Sequence, residues 1–584
     1  MRAAAAVLSL AANLQVHALL NPILPGWNPD PSIVRVGKDY FVVTSTFEYF
    51  PGHPIYHSTD LVSWKLIGHG LNRPSQLSLF GTPTDAGAFR VRALSLPGPT
   101  HIAHSTAHVS YAGIWGPALR YHERTKTFYL VSTARYAYTA EYRLFPRSFY
   151  VHTQDIFADS WSAPVYFDAL GYDTDLFWDT NGDVYATWSG INDAVHKIYS
   201  IYQNKIDIET GNSLTPAEII FTGTLPHNSS ARPEGPHVFH INSTYYLLIA
   251  EGGSGPAHQS TIQRGPSPSG PWENNPANPI LFNGANLSLP VQQTGHSDFV
   301  QAPDGSWWGV ALGIRPQGGN FARAQLGRET FLFPITWKDG WPVVYDGQPI
   351  SEHMPGVLHD KSPLTEYFND FTAAALDLSF YFLRTPYKKF HSLTARRGFL
   401  RLNGNSYALG DRDTPALLLR KQTSYTEVFE TEMEFSPATN LTEAGVTIFY
   451  SDQLHDDIGI VGDGAGGRSV VTRMNAQASQ VGPWGLVYTN ATITTVNYHP
   501  LTTKSGPVRF KIVANSTGYA LGYSEDAQGE FVFPLTIDSE LLTVPPAGGF
   551  FFKGAAFGIY NTGNGKPCLS PADFAYWNQT PVVQ

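Results

Sequence analysis

Apolar and polar residues alternate along this chain in short runs that break at Gly, Asn, Asp or Pro, the period-two pattern of half-buried β-strands. Amphipathic helical stretches are hard to find. Five segments repeat one unit: a turn-like polar group, an apolar strand, a tight turn, then a strand carrying an aromatic pair. They are NPDPSIVRVGKDYFVV, IWGPALRYHERTKTFYLV, YDTDLFWDTNGDVYAT, EGPHVFHINSTYYLLI and GHSDFVQAPDGSWWGV. The spacings between their aromatic markers, Phe41, Tyr129, Tyr185, Tyr246 and Trp308, are 88, 56, 61 and 62. Blades of a β-propeller need about 40–50 residues each. The pattern therefore predicts a five-bladed β-propeller over residues 20–348.

The first spacing is the outlier, and its excess can be located. Residues 88–113, AFRVRALSLPGPTHIAHSTAHVSYAG, show no clean alternation and no aromatic pair; without this stretch the spacing falls from 88 to 62, in line with the other blades. It reads as a retained intron, with a functional insertion at a blade junction as the alternative. After residue 348 the repeat stops. A polar, Pro-containing linker over 349–364 leads to 365–582, whose strands, such as GFLRLNG and VFETEMEF, predict a second all-β domain, a jelly-roll-like sandwich.

The repeat also has a chemical signature. Asp30 lies 11 positions before its aromatic marker, and Asp173, Glu234 and His296 each lie 12 before theirs. In the second unit the corresponding place falls at Gly116, beside Trp115. If the first strand of each unit is innermost, these groups ring one axis. Carboxylates crowded there repel one another, so at least one should stay protonated near neutrality. A protonated acid opposite an ionised base is what glycoside hydrolysis requires, and Phe47, Trp115 and Trp188 offer flat faces for sugar rings. Asp175 lies on the same strand face as Asp173, so alternation alone leaves either as the third carboxylate.

Composition narrows the partners. A net charge of −10 excludes a basic stripe able to neutralise nucleic-acid phosphates. No segment after the N-terminus is apolar enough to cross a membrane. Residues 1–18, with one Arg before a short apolar run and VHA at Val16–Ala18, read as a secretory signal peptide; an ordinary buried helix is the alternative. Seven Asn-x-Ser/Thr sequons, at Asn228, Asn242, Asn286, Asn440, Asn490, Asn515 and Asn578, fit a secreted glycoprotein. The single cysteine, Cys568, excludes an intrachain disulfide. No calcium-type Asp/Asn/Gly loop and no His-Glu-x-x-His motif occur, so no cofactor is expected, with room left only for a structural calcium near His296. Homo-oligomerisation stays open.

Taken together, NPILPGWNPDPSIVRVGKDYFVVTSTFEYFPG, GIWGPALRY, EGPHVF…YYLLIAEGG, GHSDFV, LGRETF…DGWPVV, LRTPYKKFHSLTARRGFLRLNG and GGFFFKGAAFGIYN resemble glycoside hydrolase family 43 over nearly the whole length, in its two-domain β-xylosidase form and in a fungal style. The resemblance implies a five-bladed propeller, a lectin-like sandwich and an inverting exo-glycosidase. Its substrate would be a xylo-oligosaccharide or arabinoxylan, with α-L-arabinofuranosidase activity as the alternative and a non-catalytic sugar-binding propeller as the remote one. It implies Asp30 as general base, Glu234 as general acid and Asp173 as the group that tunes the acid. Phe47, Trp115, His296 and Arg328 fall on substrate-contacting positions. A Phe of the sandwich, Phe551 or Phe552 in GGFFFKG, is expected to reach the site, and Phe551 is taken. Departures are Thr174 and Asp175 after the tuning aspartate, Gly116 in place of Ala, and Ser254 in place of Thr.

Overall fold

The computed structural model of the protein describes residues 18–79, 89–90, 109–110, 113–138, 143–355, 364–411, 413–481, 487–543 and 552–582. Five four-stranded antiparallel sheets follow one another along the chain, each with its first strand innermost. These inner strands are Ser32–Val36, Gly113–His122, Gly171–Trp178, Glu234–Ile241 and Gln292–Gln301. Each touches the next around a ring, and the last touches the first, which makes the five-bladed propeller that the repeat predicts. The aromatic markers explain the spacing. Phe41 packs with Leu119 and Phe128 of the second blade, Tyr129 with Leu176 and Trp188 of the third, and Tyr246 with Trp341 of the fifth. These markers are wedges between blades, and a wedge is needed once per blade. Trp188 belongs to this core: it is buried and stacks on Tyr202, so it offers no sugar face at the axis.

The ring closes without exchanging a strand between its first and last blades. Instead the segment before the first blade runs along the fifth. Asn21 donates through Nδ2 to the Leu332 carbonyl and accepts the Leu332 N–H at Oδ1, while the Asn28 N–H donates to the Arg328 carbonyl at 2.7 Å. Ala18–Leu20 pairs with His353–Pro355, so part of the expected linker is a strand, and the rest of it, 356–363, lies outside the described residues. So do residues 1–17 of the expected leader. Of residues 88–113, Phe89–Arg90 pairs with Val109–Ser110, Gly113 opens the second blade, and the remainder lies outside the described residues.

The C-terminal region is a sandwich of two antiparallel sheets. Glu427–Phe435 alternates strictly between buried and half-buried positions, as its sequence predicts, and Phe429, Met433 and Phe435 enter a core with Phe510, Phe557, Phe574 and Trp577. One sheet is completed by the propeller itself: Tyr49–Phe50, between two strands of the first blade, pairs with Tyr381–Leu383. The docking is close enough to require glycine on both sides. A Cβ on Gly327 would lie 2.3 Å from the Lys553 carbonyl oxygen, and one on Gly554 would lie 2.3 Å from that of Leu326. Beside them Lys553 and Glu48, both fully buried, form an ion pair between the domains. Lys553→Met removes the cation facing a buried carboxylate and is expected to cost about 3–5 kcal/mol, read as a lowered denaturant midpoint.

Candidate active site

All five inner strands open in the same irregular way. Asp30, Gly116, Asp173, Gly235 and His296 have φ between +47° and +56°, the left-handed region. In blades two to five the ladder slips by one residue there, between Trp115 and Ala118, Tyr172 and Asp175, Glu234 and His237, and Gly295 and Asp298. Each is a β-bulge, which bends the strand and re-aims side chains. In the first blade the Ser45 N–H donates to the Pro29 carbonyl, shortly before the regular ladder begins at Ser32 and Val43, and Asp30 takes the bulge position. Left-handed geometry at a non-glycine residue costs on the order of 1 kcal/mol, and three of these five positions are Asp or His.

The bulges correct the register inferred from spacing. The residue equivalent to Asp30 and Asp173 is Gly235, and Glu234 precedes it by one. Counting back from the aromatic markers missed this because the turns between strands differ in length by a residue. Glu234 thus shares its position with Trp115 and Tyr172, whereas Asp30, Asp173 and His296 hold the bulges themselves.

These groups converge at one end of the axis. Asp30 Oδ1 lies 3.9 Å from both His296 Nδ1 and Arg328 Nη1, and its Oδ2 accepts the Ser45 hydroxyl at 2.7 Å. Ser45 Oγ in turn accepts the Gly116 N–H at 2.9 Å, tying the first blade to the second. Asp173 accepts the Gly235 N–H at 3.2 Å, and a Cβ on Gly116 would fall 2.2 Å from Asp173 Oδ1. The glycine that replaces Ala in GIWGP therefore makes room for that carboxylate. Arg328 donates to the Ser254 carbonyl at 3.2 Å. Burial, and next the Asp30 charge, push Asp173 up to about 7; burial, and next Asp173, push Glu234 up likewise to about 7. The two titrate as a pair in which one proton is retained near neutrality. A quarter of the Glu234 side chain stays open to solvent, so that proton is accessible.

Aromatic rings wall the same end. Trp115 meets Phe47 edge-on at 5.2 Å and Phe552 at 5.2 Å, and the Arg328 guanidinium lies 4.5 Å from the Phe552 ring centroid. Phe47 is fully buried and backs Trp115. The sandwich thus contributes Phe552 to the wall; Phe551 lies outside the described residues.

Asp175 belongs elsewhere. Two residues beyond their bulges the first, third, fourth and fifth blades place Ser32, Asp175, His237 and Asp298; the second places Ala118 there, and its Arg120, two residues further on, fills the space among them. Arg120 donates to Asp175 Oδ2 at 2.7 Å and to Asp298 Oδ2 at 2.8 Å; Asp298 also accepts the Ser32 hydroxyl, and His237 Nδ1 sits 2.8 Å from Asp175. Burial pushes Asp298 up, but the charges of Arg120 and His237 and the hydrogen bonds from Arg120 and Ser32 together outweigh it and hold the carboxyl below its usual range. Arg120 thus pairs with two buried carboxylates and leaves Asp173 facing Asp30 and Glu234. Among the described residues no group of three or more His, Cys, Asp or Glu is arranged to hold a metal ion.

Comparison with known proteins agrees with this geometry. The family model for glycosyl hydrolases family 43 matches residues 19–342, and that for the β-xylosidase C-terminal concanavalin A-like domain matches 369–579. This chain belongs to glycoside hydrolase family 43. A non-reducing-end α-L-arabinofuranosidase of Bacteroides ovatus is 34% identical over 566 residues, covering 96% of this chain and 94% of the relative. A xylosidase/arabinosidase of Humicola insolens is 35% identical over 437 residues, 74% of each chain. The crystal structure of xylan β-1,4-xylosidase from Bacillus halodurans superposes with a TM-score of 0.80 at 28% identity, covering 96% of this chain and all of that one. The chain is accordingly a glycoside hydrolase of family 43, and its relatives include xylosidases and arabinofuranosidases.

Sequence reasoning named Asp30, Asp173 and Glu234 but missed Ser45, Arg120 with its partner Asp298, and His258. Arg120 lies four residues beyond its bulge, whereas Asp175, His237 and Asp298 lie two beyond theirs, so the repeat gave no signal for it. Ser45 and His258 lie outside the repeat's polar address and carry none.

Proposed function

We propose that the protein releases terminal β-D-xylose from xylo-oligosaccharides or arabinoxylan by inversion, with Glu234 as general acid and Asp30 as general base. The convergence of Asp30, Asp173 and Glu234 carries the reading. Glu234 gives its proton to the glycosidic oxygen as the bond to the anomeric carbon breaks. Asp30 takes a proton from the water that attacks that carbon from the opposite face. Asp173 keeps Glu234 protonated between turnovers, Arg328 and His296 hold sugar hydroxyls, and Trp115, braced by Phe47 and Phe552, supplies a flat apolar face. No step needs a cofactor. Export of the protein is proposed on residues 1–18 and the sequons.

Cleavage of α-L-arabinofuranosides is the second reading, favoured by the Bacteroides ovatus relative. The test is kcat/KM on nitrophenyl β-xyloside against nitrophenyl α-arabinofuranoside, using protein with and without residues 88–113. The xyloside is expected to give the larger value. A larger value for the arabinofuranoside replaces the first reading with the second.

A further inference from the structure

His258 is fully enclosed at the end of the loop joining strands Thr244–Glu251 and Gln259–Gly265 of the fourth blade, and no step above uses it. Its Nδ1 lies 3.0 Å from the Gln293 carbonyl oxygen. A carbonyl can only accept, so Nδ1 carries the hydrogen. In the neutral ring Nε2 is then a bare acceptor. That atom is buried, has no hydrogen-bond partner among the described residues, and lies 3.7 Å from Glu234 Oε1. The fold makes space for the ring: a Cβ on Gly295 would fall 2.6 Å from the His258 Cε1 and 2.9 Å from Nε2. A second cation here would face the Arg328 guanidinium and His296, and burial already opposes it.

We propose that His258 is a positioning residue for the acid: its neutral Nε2 accepts the hydrogen bond of the protonated Glu234 carboxyl and holds the acid's proton ready between turnovers. The inference rests on the reading of Glu234 as general acid. The separation is that of a resting site, where catalytic hydrogen bonds are often long. When the glycosidic oxygen arrives, the O–H turns from Nε2 to it and the proton leaves with the departing group. The Glu234 carboxylate then faces a lone pair, which favours its reprotonation from solvent. His258 stays neutral throughout. The other titratable and charged groups acting on Glu234 are Asp173, which raises its pKa, and His296, Arg328 and Arg232, which lower it.

The test compares His258→Phe and His258→Gln in the full chain, on xylobiose and on an activated dinitrophenyl β-xyloside. His258→Phe is expected to lower kcat on xylobiose about tenfold, with far less loss on the activated substrate and little change in KM. Its alkaline limb should move about one pH unit downward, because the protonated acid has lost its acceptor. His258→Gln offers an amide oxygen to the same proton and should restore the limb. In a Glu234→Gln background, His258→Phe should cost nothing further on xylobiose. Equal losses on both substrates with an unmoved limb would reduce His258 to a packing role. Full xylobiose activity in Glu234→Gln alone would sink the acid assignment itself, a separate outcome. If His258→Phe does not fold, the ¹⁵N shifts of histidine-labelled wild type decide: a neutral ring protonated at Nδ1 is expected, and a charged ring or the other tautomer overturns the proposal.

Discussion

Glu234→Gln is expected to cut the turnover of xylobiose by about 10²–10⁴-fold while sparing activated aryl xylosides much more. A sugar leaving group departs as a strongly basic alkoxide unless it is protonated, so it depends on the acid fully. A nitrophenolate departs as a stabilised anion and needs little help. The same variant should lose the alkaline limb of the pH profile. Glu234 is pushed up to about 7 by burial and then by Asp173. Its acid form therefore dominates below that value, and kcat/KM declines as pH rises through it. Gln cannot titrate, so the decline should vanish along with most of the activity. The contrast between leaving groups separates a lost acid from a collapsed pocket, because a collapsed pocket would lose both substrates together.

Asp30→Asn should show the opposite selectivity. A base that activates water is needed whichever group departs, so losses of about 10²–10⁴-fold are expected on xylobiose and activated xylosides alike. Asn is among the few side chains that adopt left-handed backbone readily, so the bulge at φ +54° and the bond from the Ser45 hydroxyl are expected to persist. An unchanged thermal midpoint beside the lost activity would mark the effect as chemical. Retained activity on either substrate would remove Asp30 from the base's role.

The difference between these two carboxylates is written in the backbone. Asp30 sits on a bulge and meets Arg328 and His296, whereas Glu234 stands one residue before a bulge, beside Trp115 and Tyr172 in register and close to His258. The sequence repeat made the ring of ionisable groups legible, because each blade needs one aromatic wedge and one polar strand opening. It could not place them to the residue, since every blade carries the same bulge but the turn that follows differs in length from blade to blade. Asp173 and Asp175 show the same limit. Period two gives them one face, and only the bulge between Tyr172 and Asp175, with Arg120 waiting below, assigns them to different layers. The sandwich was legible from alternation such as that of Glu427–Phe435, but its route into the site, through Phe552 and a strand borrowed from the first blade, depends on contacts hundreds of residues apart.

The account's central claim is that acid and base act from opposite faces of one sugar. Proton NMR of the first product from nitrophenyl β-xyloside, recorded before mutarotation, tests it most directly. Attack by water held at Asp30 predicts that α-D-xylose appears first and the β-anomer only later. β-D-xylose appearing first would contradict inversion and the pairing of Asp30 with Glu234.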